Sequence, residues 1–290
     1  MLDYHVHPDY SIDADPSSIW QYCQRAAEIG IREICFTPHL EVDPVRKHLD
    51  GFVRLKGVRS PMNDLTWLDC YFKEIEEARR EWKEAGLSVK SGIEVGYDLG
   101  LEKMIERVVE NYPFDFVLGS VHCLDHKAIS SKRESVRYFP GKEMEQVVQS
   151  YFYTLKEGVK TGLFDCVAHL DLYRRYGVHY FGTGVLRAHE NLIGPLFELM
   201  LKTDTGLEIN TSSLRRGHTE FHPSRAIILS AKRAGITVFT VGSDAHRLDE
   251  LGLKVDEACA MLLALGIEPA TYTRRQPSTG KRVDKKPALP

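Results

Sequence analysis

The sequence predicts an α/β fold closed as a barrel of seven β/α units. Three observations carry this. Strand-like apolar runs alternate with amphipathic helical runs along most of the chain. The connections are short and no linker divides the units, so a parallel sheet that closes on itself is the simplest arrangement. Histidines and carboxylates also recur at or just after the carboxyl end of strand after strand, the end where side chains converge in such a barrel. No G-x-G-x-x-G or P-loop stands at any strand-to-helix turn, which leaves nothing to favour a nucleotide-binding open sheet.

The first strand is Leu2-Asp3-Tyr4-His5-Val6-His7. Strand side chains alternate faces, so His5 and His7 point the same way and make a chelating pair. Asp15-Pro16 supplies an N-cap and a first-turn proline. The following helix carries Ile19, Trp20, Cys23, Ala26, Ala27 and Ile29 on one face and stops at Gly30. Glu33-Ile34-Cys35-Phe36-Thr37 is the second strand and ends in Pro38-His39. Residues 40–63 are polar and aperiodic, which reads as a long loop or lid. Residues 64–85 interleave acids and bases as the solvated face of a helix does. The third strand, 87–95, carries Glu94, and a short helix spans 100–111. The fourth strand, 114–121, precedes His122, a basic hairpin or loop with Lys127, Lys132, Arg133 and Arg137, and a long helix over 142–161. The fifth strand, 164–168, leads into His169-Leu170-Asp171, then a polar loop and a helix over about 185–204. Gly206-Leu207-Glu208-Ile209-Asn210 is the sixth strand, and a helix from His222-Pro223-Ser224 ends at Gly235. The seventh strand, 237–241, runs into Gly242-Ser243-Asp244-Ala245-His246, and a last helix covers about 249–264.

The barrel is therefore expected over residues 1–267. Residues 268–290 are rich in proline, lysine and arginine and poor in large apolar groups, which predicts a basic, flexible tail. With 290 residues and 43% hydrophobic composition, the chain can bury a sizeable core. A net charge of −3 gives no broad nucleic-acid footprint, so any anion recognition is local. Six scattered cysteines without a C-x-x-C pair read as reduced thiols. Met1 passes directly into a strand with no signal-peptide pattern, and no apolar run is long enough to cross a bilayer. The expected location is the cytoplasm.

The chemistry collects at the carboxyl ends of the strands. His5, His7, His39, His122, His169 and His246, with Asp13, Glu94 and Asp244, are too many donors for one ion of about four to six ligands. They imply two or three divalent ions with a carboxylate bridging a pair. Imidazoles and carboxylates without thiolate suit zinc, iron or manganese, whereas calcium and magnesium prefer oxygen. Several ions in one pocket favour in-line displacement at phosphorus. Arg174-Arg175 follows the fifth strand and Arg215-Arg216 the sixth, both in loops on the presumed active face. Arginine grips phosphate through paired hydrogen bonds, although surface ion pairing explains any single one equally well. His48, His126, His179, His189, His218 and His222 read mostly as surface residues, with His222 at most behind the ligands or at the substrate.

His5-x-His7, Thr37-Pro38-His39, Gly92-Ile93-Glu94, Gly119-Ser120-Val121-His122, His169-Leu170-Asp171 and Gly242-Ser243-Asp244-Ala245-His246 together resemble the polymerase and histidinol phosphatase (PHP) superfamily. The resemblance spans residues 1 to about 264. His169-Leu170-Asp171 with its following basic residues, and Glu208-Ile209-Asn210 with Arg215-Arg216-Gly217, look most like the monofunctional histidinol-phosphatase branch. The resemblance implies a distorted seven-stranded (β/α)7, TIM-like barrel with a trinuclear centre. On this chain His5, His7, Glu94 and Asp244 would hold one ion. Glu94, His122 and His169 would hold a second, with Glu94 bridging, and Asp13, His39 and His246 a third. Asp13 departs from the histidine that many relatives carry there, which makes the third site harder and more anionic. Glu94, His122, Asp244 and His246 are the implied catalytic residues, and Arg175, Arg215 and Arg216 the implied phosphate-binding ones. The implied reaction is hydrolysis of a small-molecule phosphate monoester, L-histidinol phosphate, in histidine biosynthesis. Fold alone leaves other functions open. These are a phosphoesterase acting on nucleotides or nucleic-acid ends, a phosphotyrosine phosphatase, and a metal-stabilised binding module without turnover. The near-complete ligand set weighs against the last, since a structural site needs only one closed shell.

Overall fold

Parallel pairing runs in chain order through β1 (Leu2–Val6), β2 (Glu33–Phe36), β3 (Ser88–Gly96), β4 (Phe116–Ser120), β5 (Cys166–Val167), β6 (Gly206–Asn210) and β7 (Phe239–Gly242) in a computed structural model that describes residues 1–278. The last strand returns to the first. Val6 bridges Ala245 in parallel, and the His7 N–H donates to the Ala245 carbonyl at 2.8 Å. Asp3 pins this seam, accepting the Ser243 N–H at 2.8 Å and the Gly252 N–H at 3.0 Å. The seven-unit barrel expected from the sequence is therefore present. It is distorted: β5 is only two residues long, while β3 has nine.

Seven helices flank the strands: α1 (Ile19–Glu28), α2 (Thr66–Trp82), α3 (Glu102–Asn111), α4 (Met144–Lys160), α5 (Ile193–Lys202), α6 (Arg225–Ala234) and α7 (Val255–Ala264). Their apolar faces bury two large clusters, one around Ile34, Ile93 and Tyr71, the other around Leu207, Val241 and Phe197. Among the described residues no helix is long and apolar enough to cross a membrane. All six cysteines are free, and four of them are buried. The start of α1 lies later than Asp15-Pro16 suggests. Ser18 is its N-cap, in a reciprocal pair with Gln21 that satisfies two backbone donors. The end of α6 is as expected: Gly235 adopts the left-handed conformation that closes a helix.

Four stretches differ from expectation. Residues 40–63 are not a structureless lid. His39–Glu41 extends along β3, and Phe52–Leu55 pairs with Val58–Pro61 as a hairpin. Lys56 and Gly57, both at positive φ, form its turn, a geometry that matches strand twist. Val53 and Met62 bury the hairpin's inner side. Arg54 donates to the carbonyls of Asp9, Ser11, Ile12 and Ala14, tying down the loop that bears Asp13. The polar loop after His169 contains a helix, Arg174–Phe181, and the last helix begins at Val255 instead of near 249. Part of the tail expected to be flexible packs as well. Thr271–Thr273 pairs with Gln276–Ser278, and Ala270 and Tyr272 are buried against Tyr4 and Phe116 at the amino-terminal end of the barrel. Tyr272 packs the segment and Arg275 ties it to Asp165, long-range contacts that average composition hides. The remaining tail lies outside the described residues.

Candidate metal centre

The carboxyl ends of the strands deliver the nine expected donors to one place, with Glu94 in the middle. Glu94 is buried at the top of β3, directly opposite His39 in the parallel register. Its Oε1 lies 3.1 Å from His122 Nε2 and 2.9 Å from His169 Nε2. Its Oε2 lies 3.2 Å from His5 Nε2, 3.4 Å from His7 Nε2 and 2.9 Å from His39 Nδ1. Asp244 faces the same space, with Oδ1 3.8, 3.4 and 3.4 Å from His5, His7 and His246 ring nitrogens. Asp13 closes the mouth, its Oδ2 3.5 Å from His39 Nε2 and 3.3 Å from His246 Nε2. Glycine is required beside the centre: a Cβ on Gly242 would sit 2.3 Å from that of His5.

Carboxylates and a hydroxyl hold the rings from behind. Glu208 takes His5 Nδ1 at 2.6 Å, Glu41 takes His122 Nδ1 at 2.6 Å, and Ser11 lies 3.1 Å from His7 Nδ1. Each contact turns Nε2 of its ring toward Glu94 or Asp244, as is usual for ligating histidines. Glu208 also accepts the His169 N–H at 2.8 Å. The sequence reading missed the orienting role of all three residues. Glu41 could have been found, because it stands two positions after His39 on a strand and shares its face. Ser11 carries no comparable signal.

A group of cations fits this space. His5 Nε2, His7 Nε2, His39 Nδ1 and Glu94 Oε2 are buried without a hydrogen-bond partner, which native interiors rarely tolerate. Four sets of donors in the centre lie close enough to hold an ion: His5, His7 and Asp244; His7, His39 and His246; His39, Glu41 and His122; Glu94, His122 and His169. The last is the expected second set; the first lacks Glu94, His7 stands in place of Asp13 beside His39 and His246, and the set with Glu41 was not expected. The charge balance asks for cations too. Burial alone would raise the Glu94 carboxyl, but His122, His5 and His39 outweigh it and hold Glu94 well below the usual carboxylate range. Burial, reinforced by His246 and His39, keeps His7 well below the ordinary imidazole value, so it is neutral as a ligand must be. For His122 burial pulls downward, yet Glu94 and Glu41 push it up to about 9. Positive charge there is carried either by protons or by metal.

A cleft of about 600 Å³ opens over the centre, lined by Asp13, His39, Glu94, His122, Asp244 and His246. Arg175 and Arg216 line it as well. Arg175 is buried, with Nη2 3.4 Å from Ser212 Oγ and 3.7 Å from Asp244 Oδ2. Burial and the nearby Arg216 lower it to about 10, still charged at neutral pH. Arg215 is placed otherwise than expected. It donates to the Ser243 and Asp244 carbonyls, and its Nε lies 3.4 Å from Glu250. It clamps the backbone of Asp244, which sits at φ +54°, and is not among the residues lining the cleft. Arg174 turns to Asp171 and Glu220. His189 is buried, not a surface residue, and His222 is buried as well, whereas His48, His126 and His179 are exposed.

Fold and site together define a (β/α)7 barrel with a histidine–carboxylate metal centre. The chain belongs to the PHP domain family, whose model matches residues 3–212. Asp244 and His246 lie beyond the matched segment and come from the end of β7. The chain is 26% identical to a histidinol-phosphatase from Lactococcus lactis over 98% of its own length and 96% of the relative's. It is 28% identical to a "Probable histidinol-phosphatase" from Deinococcus radiodurans, covering 88% of this chain and 90% of that one. A crystal structure of histidinol phosphate phosphatase from Lactococcus lactis, complexed with zinc, L-histidinol and phosphate, shares the fold with a TM-score of 0.74 at 22% identity. That likeness covers 96% of this chain and 98% of the other.

Proposed function

We propose that this chain hydrolyses L-histidinol phosphate to L-histidinol and phosphate as a metal-dependent phosphoric monoester hydrolase of histidine biosynthesis. The observation that carries this reading is the convergence of five imidazoles on Glu94, with Asp244 facing the same space, beside two arginines in one cleft. Relatives named for this activity match over nearly their whole length, which supports the substrate. Two or three divalent ions of the zinc, iron or manganese type, held by His5, His7, Asp13, His39, Glu94, His122, His169, Asp244 and His246, supply Lewis-acid charge and activate water at neutral pH.

The chain's own residues do the rest. Arg175 and Arg216 bind the phosphoryl oxygens and fix phosphorus over Glu94 and Asp244. Ser212 and Asp244 restrain Arg175, so its guanidinium is preorganised. Glu41 and Glu208 keep the His122 and His5 rings from turning away. Arg215 holds the Asp244 backbone in its left-handed conformation and is a positioning residue. Six unpaired cysteines fit a reducing compartment, and we place the enzyme in the cytoplasm.

The test is phosphate release from L-histidinol phosphate beside a nucleoside monophosphate and a phosphotyrosine peptide, with metal stripped and then restored. Preference for L-histidinol phosphate, lost on stripping and regained with zinc, manganese or iron, supports the reading. Metal-dependent release from the other two alone keeps the centre and overturns the substrate.

A further inference from the structure

A second cavity, of about 320 Å³, adjoins the cleft on the other side of Arg216. It is lined among others by Arg174, His179, Arg216, His218, Glu220 and His222. The reaction proposed above uses none of these except Arg216. Two of them are buried and incompletely partnered. His222 is 3% exposed and its Nε2 has no hydrogen-bond partner. Arg174 is 7% exposed and its Nε has none either. A polar atom left in this state costs stability unless something occupies the space beside it.

His222 is also held in place from behind. Its Nδ1 lies 2.5 Å from Asp171 Oδ1, and Asp171 is fully buried. The same carboxylate accepts the Ser224 N–H at 3.1 Å and pairs with Arg174. A ring fixed by a carboxylate at Nδ1 holds its Nε2 in one direction, with the buried Asp171 as a fixed negative charge behind it. The surroundings are electropositive. Burial together with His222, Arg175 and Arg174 keeps the His218 imidazole below its ordinary value, and the His218 and His222 rings are 5.8 Å apart. The one carboxylate in the lining is Glu220, 3.5 Å from Arg174 and half-exposed at the rim.

We propose that this cavity is a second oxyanion-binding site, taking a phosphate or carboxylate group against His222, His218, Arg174 and Arg216. Its volume accommodates such a group with several waters, at about 30 Å³ for each water. Because Arg216 lines both spaces, an anion held here draws that guanidinium away from the cleft. Released phosphate, or an acidic metabolite, would then weaken substrate binding without displacing metal. Only this last consequence rests on the function proposed above.

The experiment counts inorganic phosphate bound to the metal-loaded full chain by equilibrium dialysis, with acetate as a second probe to separate phosphate from carboxylate sources. Two phosphates per chain are expected. His222→Gln should weaken one of them about tenfold or more by removing a buried ring nitrogen that Asp171 holds beside the anion. His218→Gln, at a less buried position, should weaken the same one if His222→Gln fails to fold. Glu220→Gln should tighten it about threefold, since a competing carboxylate is gone. A single phosphate that these variants leave unchanged overturns the proposal, as does weakening by Glu220→Gln. A single phosphate that is sensitive to His222→Gln and indifferent to metal removal supports this site and counts against the phosphatase reading.

Discussion

Glu41 shows how much of the centre depends on residues that touch no reacting atom. It stands 2.6 Å behind His122, at the end of a three-residue strand aligned with the top of β3. Its carboxylate selects the tautomer that presents Nε2 to the cleft. Glu41→Gln should reduce metal affinity or turnover about 10- to 100-fold while the thermal transition of the metal-free protein barely moves. Metal titration followed by calorimetry tests this, and unchanged affinity and turnover would remove Glu41 from the site. Proton linkage gives a second check at the same scale. Without metal, His122 is raised to about 9 by Glu94 and Glu41, so it is protonated at pH 7. A ligating imidazole must be neutral, so metal binding expels that proton below about pH 9. Affinity should therefore rise with pH through the range up to about 9. Calorimetry in two buffers of different ionisation enthalpy should detect the release; absence of any release would mean that His122 is already neutral.

At the scale of elements, two hairpins matter that the sequence pattern did not announce. The first, Phe52–Leu55 with Val58–Pro61, anchors the Asp13 loop through Arg54. The second, Thr271–Thr273 with Gln276–Ser278, stops the amino-terminal end of the barrel with Tyr272. Tyr272 donates its backbone N–H to the Tyr4 hydroxyl at 2.6 Å, and its ring lies 4.8 Å from that of Phe116. Tyr272→Ala should cost about 3–5 kcal/mol, in line with emptying a buried aromatic position. Denaturant unfolding measures this, and a loss under about 1 kcal/mol would show that the hairpin is not part of the core. Both hairpins escaped the sequence reading for one reason. Their stability comes from one or two anchoring side chains contacting distant strands, not from periodicity within the segment. The helix over Arg174–Phe181 was missed likewise, because its buried groups include Arg175, whose partners Ser212 and Asp244 are remote in sequence.

Over the whole molecule, the parts of the sequence that could be read were those with local rules. Strand alternation put His5 and His7 on one face, and both imidazoles are buried 5.0 Å apart. The recurrence of donors at strand ends located the centre, since a closed parallel barrel brings those ends together. What could not be read were contacts set by tertiary geometry. Arg215 and Arg216 are neighbours in sequence, yet one clamps the Asp244 backbone and the other lines the cleft. His222 pairs with Asp171, 51 residues away, a contact that nothing nearby in the sequence announces. The barrel brings five imidazoles to the two oxygens of Glu94, and on the proposed function it assembles ions around that residue. This is tested by the metal content of wild-type protein and Glu94→Gln by elemental analysis, alongside turnover of L-histidinol phosphate and the circular dichroism of each. Glu94→Gln should stay folded, lose at least one ion and turn over at least about a hundredfold more slowly. Full metal content with near-normal turnover in Glu94→Gln would contradict that assembly.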